Sequence, residues 1–145
     1  MKYELRKCTY DDVDFILKLK SLGMKWYIEK IYGWDESVQR EKTIDELNKS
    51  IDDMNIIRVD NCDVGVTTFH KNKEYYCIGL TLIHPDYQGK GLATDILSKY
   101  IECAKEDNKE IVIKTYKYNP ARRLYERLGF KVYDEDNTHV YMNIK

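Results

Sequence analysis

Ile83-His84-Pro85-Asp86-Tyr87-Gln88-Gly89-Lys90-Gly91-Leu92-Ala93 is the stretch that decides the fold. It leaves an apolar run at residues 75–83 and enters residues 91–106, where Leu92, Ile96, Leu97, Tyr100, Ile101 and Ala104 recur at helical spacing. Residues 111–115 (Ile-Val-Ile-Lys-Thr) read as the next strand. A strand-helix-strand crossover makes its two strands parallel neighbours and puts the helix start at the carboxyl end of the first. Glycines at that point let the main chain turn tightly and approach a ligand. The unpaired amides and dipole of the helix start favour negative charge, so a pyrophosphate fits. A P-loop is excluded because Gly-x-x-x-x-Gly-Lys-Ser/Thr is absent. A dinucleotide fold is excluded because Gly-x-Gly-x-x-Gly is absent and the preceding strands form a meander.

Working outward, residues 55–59, 64–70 and 75–83 read as three antiparallel strands joined by polar turns. Gly79, in mid-strand, marks a bulge or a close backbone approach. Toward the N-terminus, residues 2–7 read as a strand. Thr9 with Asp12 resembles a capping box leading into a helix with Val13, Ile16 and Leu17 on one face. That helix fades near Gly23 or continues through Trp26 to Ile31, and Gly33 breaks it. A second helix is expected over residues 35–52, with Ile44, Leu47 and Ile51 on one face. Toward the C-terminus come a short helix over residues 120–128 closed by Gly129, and strands at 130–133 and 139–144.

This order predicts a mixed α/β (α+β) protein, and 145 residues suit one domain spanning 1–145. Charged residues are 34% of the chain but nearly cancel, 24 basic against 25 acidic, so neither nucleic acid nor a membrane surface is an expected partner. No run of about 18 apolar residues is present, and a cytoplasmic protein is expected. Cys8, Cys62, Cys77 and Cys103 are scattered, and His70, His84 and His139 are far apart, so neither a metal site nor a disulfide framework is expected.

The stretch 83–93 resembles the signature Gln/Arg-x-x-Gly-x-Gly/Ala of the GCN5-related N-acetyltransferase (GNAT) superfamily, matched by Gln88, Gly91 and Ala93. A second segment, Asn119-Pro120-Ala121-Arg122-Arg123-Leu124-Tyr125-Glu126-Arg127-Leu128-Gly129-Phe130, is similar to the superfamily's Asn-x-x-Ala-x-x-Leu-Tyr-x-x-x-Gly-Phe, with Ala121 one place early. The resemblance implies a mostly antiparallel sheet of six to seven strands flanked by four helices, with a splayed parallel pair at its centre. It also implies transfer of acetyl from acetyl-coenzyme A to a primary amine of a small molecule. Protein or peptide acceptors, and a catalytically silent acyl-coenzyme A-binding module, are the alternatives. A homodimer is compatible with it.

By the same resemblance, backbone amides of Gly89, Lys90, Gly91, Leu92 and Ala93, after Gln88, hold the pyrophosphate. Leu82, Ile83 and His84 pair with pantetheine, with Leu82 N–H polarising the thioester carbonyl. Asn119 bonds the pantetheine arm, and Tyr125 donates a proton toward the departing sulfur. The spacing of Tyr125 also suits a core position beside Ala121, Leu124 and Leu128. Residues 75–83 contain no carboxylate, where many superfamily members carry Glu, so the base is unassigned among Glu29, Asp35 and His84. The acceptor is expected beside the first helices, where Trp26, Tyr27, Glu29 and Trp34 form either a wall or part of the core. Arg122, Arg123, Arg127 and Lys131 suit either coenzyme A phosphates or a solvated helix face.

Overall fold

Eight strands and five α-helices alternate along residues 1–145, all of which the computed structural model describes. The count exceeds the expected six to seven strands and four helices because two predicted elements are each divided. The first helix breaks at Met24 into α1 (Val13–Gly23) and α2 (Lys25–Tyr32), and the run 75–83 divides into β4 (Tyr75–Ile78) and β5 (Leu82–Ile83). The chain forms two compact units, Met1–Thr68 with Leu80–Lys90, and Phe69–Gly79 with Gly91–Lys145. No helix is long and apolar enough to cross a membrane.

In the first unit β1 (Glu4–Lys7) pairs antiparallel with β2 (Met54–Val59), and β2 with β3 (Cys62–Lys71), which also takes β5. The capping box is present. Thr9 N–H donates to Asp12 Oδ2 at 2.9 Å, opening a 3-10 turn over Tyr10–Asp12 that runs into α1. Arg6 grips the same carboxylate at 2.7 and 3.0 Å, tying β1 to the helix entry. Ile16 and Leu19 of α1 pack with Cys8, Leu47, Met54, Ile56 and Val66 in a buried core.

α3 (Glu36–Ser50) keeps Leu47 of its predicted face buried, with Ile51 just beyond it packed on the same core, but Gln39 and Thr43 also point inward while Ile44 is exposed. The reason is Lys20, a buried residue of α1. Its Nζ donates to Thr43 Oγ1 and Glu46 Oε1, each at 2.9 Å, and a buried ammonium demands such acceptors.

In the second unit β4 runs parallel to β6 (Glu110–Tyr116), from Tyr75↔Glu110 to Ile78↔Ile113, as the crossover requires. β6 pairs antiparallel with β8 (His139–Ile144), and β8 with β7 (Lys131–Glu135). The predicted stripe of α4 (Leu92–Glu106) is buried at Leu92, Ile96, Leu97 and Ala104. Leu97 and Ala104 pack with Tyr76, Ile111, Ile113, Phe130, Val140 and Met142.

The break at Gly79 is a change of register. The ladder on β3 ends at Phe69↔Ile78 and resumes at Val66↔Leu82. Three residues, 79–81, therefore stand against two, Thr67 and Thr68, which defines a bulge with one extra residue. The hydroxyls of Thr67 and Thr81, 3.2 Å apart, mark where pairing is about to resume. Beyond it β3 and β5 approach very closely at Gly65, where an added β-carbon would lie 2.6 Å from the Leu82 carbonyl oxygen and 3.0 Å from Ile57 Cδ1. A carbonyl in a ladder cannot step aside, so Gly65→Ala is expected to cost about 1–3 kcal/mol through overpacking. Urea unfolding followed by circular dichroism checks this, and a midpoint equal to wild type would show that β5 yields freely.

Candidate functional site

Strand β5 has one strand partner, β3, so its other edge is open. Which groups face that edge follows from alternation. His84 N–H donates to the Val64 carbonyl at 2.7 Å, making 64/84 a hydrogen-bonded pair. Two residues along, Val66↔Leu82 is then also hydrogen-bonded, while Gly65↔Ile83 is not. The N–H and C=O of Leu82 are thus directed at β3, in keeping with the tight approach of its carbonyl to Gly65. Those of Ile83 face outward, and Gln88 Nε2 donates to the Ile83 carbonyl at 2.8 Å. The Leu82 N–H, expected to polarise a carbonyl, is thus directed at β3. The extra residue in the bulge changes the strand's parity, and the outward N–H belongs to Ile83.

After Ile83 the chain turns sharply. His84 Nδ1 accepts the Asp86 N–H at 3.1 Å and opens a 3-10 turn over Pro85–Tyr87. Gly89 and Gly91 follow with φ of 73° and 82°, a region that favours glycine, and no heavy atom lies within 4 Å of where a β-carbon would stand on either. The first intrahelical bond of α4 is Asp95 N–H to the Gly91 carbonyl, 3.0 Å, and no side chain caps the helix. The N–H groups of Leu92, Ala93 and Thr94 are therefore unspent within the helix. Thr94 was not among the residues predicted from sequence, although its place three after the glycine cap makes it the last open donor. Lys90 is exposed, its Nζ lying 5.5 Å from the centre of the Tyr87 ring.

In the second unit Asn119 is engaged at both ends of its amide: Nδ2 donates to Thr115 Oγ1 at 2.8 Å, and Oδ1 accepts the Ala121 N–H at 2.9 Å. It shapes the entry to α5 (Arg122–Arg127), leaving one amide hydrogen for any further partner. Tyr125, on α5, is buried in the core and meets Phe130 edge-on at 6.3 Å. Burial pushes its pKa up to about 12. Arg122 is drawn to Glu126, 3.5 Å away, and donates to the Lys117 carbonyl at 3.4 Å.

The residues expected at the acceptor divide by exposure. Trp26 is 55% exposed and Glu29 is exposed, whereas Tyr27 is 3% exposed and belongs to the interior. Trp34 Nε1 donates to Glu36 Oε1 at 3.0 Å. Asp35 caps α3 by accepting the Val38 N–H at 3.1 Å, and His84 caps its own turn, so two of the three candidate bases already hold structural bonds.

Residues 25–141 match the model of the acetyltransferase (GNAT) domain. The chain belongs to that family. Among solved structures, the GNAT fold is matched by the PaiA N-acetyltransferase of Thermoplasma acidophilum in complex with coenzyme A, with a TM-score of 0.77 and 21% identity over 100% of this chain and 99% of that one. PH1933 of Pyrococcus horikoshii gives 0.78 at 19% identity, covering 99% and 98%. A GNAT-family acetyltransferase of Bacillus anthracis gives 0.68 at 20%, covering 99% and 95%. No curated protein sequence matches significantly.

In this GNAT chain the environment of Tyr125 makes a separable prediction. An unfolded tyrosine ionises near ~10, below the folded value of about 12. The stabilisation is complete below pH ~10 and is lost as pH rises toward 12, because the unfolded state ionises first. Urea midpoints measured from pH 9 to 12 should fall more steeply for wild type than for Tyr125→Phe. Tyr76, also held near 12 by its bond to Asp107, contributes equally to both proteins. Parallel slopes would mean that the Tyr125 hydroxyl is solvated.

Proposed function

We propose that this GNAT acetyltransferase is a cytoplasmic N-acetyltransferase, one domain over residues 1–145, that transfers the acetyl group of acetyl-coenzyme A directly to a primary amine of a small molecule. One observation carries the reading: an outward strand N–H at Ile83 is followed, within the next eleven residues, by a glycine turn and three unspent helix amides. The cosubstrate needs the same sequence of partners, with a polarisable carbonyl and a peptide-like arm ahead of a pyrophosphate. Pantetheine lies along residues 82–84 as an added strand, as extended peptides do at open edges. Ile83 N–H polarises the thioester carbonyl. Leu92, Ala93 and Thr94 N–H, with Gly89, Lys90 and Gly91, hold the pyrophosphate.

The reaction breaks the thioester C–S bond and forms an amide C–N bond. The amine gives up one proton and the leaving thiolate takes one. By similarity to the superfamily Tyr125 donates toward the departing sulfur, and the thiolate takes its proton from solvent. With its pKa near 12 and a thiol near ~8.5, complete transfer to the thiolate is uphill by roughly 3.5 pH units, or about 5 kcal/mol. Tyr125 therefore acts by donating a hydrogen bond as charge gathers on sulfur. Asn119 contributes its remaining amide hydrogen to the arm. The acceptor lies against Trp26, Glu29 and Trp34, with the buried Tyr27 edge-on to Trp26 at 5.2 Å.

A second reading, a catalytically silent acyl-coenzyme A-binding module, draws on the buried Tyr125 and the lack of a carboxylate in residues 75–83. Turnover separates the two. Calorimetry with coenzyme A should give saturable binding, and free-thiol release from acetyl-coenzyme A should rise above the uncatalysed rate with members of a small primary-amine panel. Binding without turnover on either that panel or a peptide panel would establish the silent module. Gly91→Ala forces an alanine into the left-handed region at a cost of about 1–2 kcal/mol, and should weaken coenzyme A about tenfold. Tyr125→Phe should lower kcat about tenfold or more with coenzyme A affinity unchanged. An unchanged kcat at saturating substrate removes Tyr125 from the chemistry.

A further inference from the structure

The bulge that sets the strand's parity contains an unexplained polar group. Thr68 is 3% exposed, and its hydroxyl is buried with no hydrogen-bond partner. Two other buried polar atoms share that status, but both belong to ionic groups already engaged: Glu46 through its other oxygen on Lys20, and Arg122 beside Glu126 and on the Lys117 carbonyl. Thr68 is the one side chain left wholly without a partner. By alternation it projects to the same face of β3 as Val66, the face on which Leu80 and Leu82 pack. Leu80 adds a second observation. It lies between the two ladders, so neither takes its N–H or its C=O. A buried hydroxyl thus shares a face with Leu80, whose main-chain groups the extra residue has removed from pairing.

We propose that a single water bridges Thr68 Oγ1 to the main chain of Leu80, and that through it Thr68 is a positioning residue for the outward edge of Ile83. Buried waters settle where two to four otherwise unsatisfied polar groups converge, and a bulge supplies them on its unpaired side. The position also explains why threonine serves there while Val66 occupies the preceding inward place of the same strand. Its methyl group packs like a valine while its hydroxyl holds the solvent. The functional consequence comes through register. If the extra residue were squeezed out, a one-residue slip would turn the N–H of Leu82 outward and that of Ile83 into the ladder. The water gives the extra residue its hydrogen bonds and so holds the parity. The effect on coenzyme A rests on the acetyl-transfer reading above, whereas the water does not.

Three measurements test this. A crystal structure of the unliganded chain should contain a water within about 3.2 Å of Thr68 Oγ1 and of a Leu80 main-chain atom. A dry site, or a hydroxyl bonded directly to a carbonyl, overturns the proposal. Thr68→Val, which keeps shape and removes the hydroxyl, should melt about 3 °C lower and bind coenzyme A about tenfold more weakly in calorimetry, with Thr68→Ser close to wild type. An orphaned hydroxyl in an apolar core would do the opposite, since its replacement by a methyl stabilises. A Thr68→Val protein that melts higher and binds coenzyme A normally overturns the idea. One that melts lower with unchanged affinity removes the positioning role. Failure of wild type to bind coenzyme A would strike the acetyl-transfer reading alone, because density and melting report the water independently.

Discussion

A strand that carries one residue too many must decide where to put it, and the chemistry proposed here depends on that decision. Placing residues 79–81 against Thr67 and Thr68 reverses which side of the strand each later main-chain group faces. Without the bulge, Ile83 would spend its N–H on β3 and the open edge would present Leu82. With it, the outward donor comes two residues before the turn at Pro85, and the outward carbonyl is where Gln88 can reach back and bond. Gly65 is the complementary concession. β3 gives up a side chain so that β5 can approach with its changed parity.

The rest of the candidate site is ordered by how polar groups are already spent. Asn119 uses both ends of its amide on Thr115 and Ala121, His84 and Asp35 cap turns, and Lys20 consumes Thr43 and Glu46 in the interior. What is left for a ligand is mostly main chain: Ile83 N–H and the amides of Leu92, Ala93 and Thr94. Such donors keep a fixed charge and position at every pH, and they need no rotamer to be ordered when an anion arrives.

Much of this was legible in the sequence where a local rule governs. The glycines at 89 and 91, the stripe from Leu92 to Ala104 and the Thr9–Asp12 box each depend on neighbours within a few residues, and each is where the pattern put it. Gly79 announced the bulge. What could not be read was its consequence, because parity depends on which β3 residues pair on either side, a non-local fact. The α3 face was legible at Leu47 and Ile51, which pack on the core, and Ile44 differs for a related reason. Ile44, Leu47 and Ile51 make a sound apolar stripe, but the buried ammonium of Lys20 on another helix takes Thr43 and Glu46 as acceptors, so the inward place beside Ile44 goes to Thr43. Tyr125 was open between core and catalysis on spacing, and the structure gives it the burial of a core residue while leaving its superfamily role to experiment.

That burial bears on how the work of the reaction is divided. A phenol held near pKa 12 is a poor acid toward a thiolate, so protonating the leaving group in advance is not available. The donor at Ile83 is under no such limit, since a backbone N–H stabilises developing oxyanion charge without losing its proton. In the proposed acetyl transfer, transition-state stabilisation is then weighted toward fixed main-chain dipoles and away from side-chain proton transfer. The accuracy of the strand edge, and so of the bulge that sets it, becomes the quantity on which rate would depend most. An error of one residue in pairing at Thr68 would cost more than the loss of a hydroxyl at Tyr125, because it would withdraw the one donor that no side chain can replace.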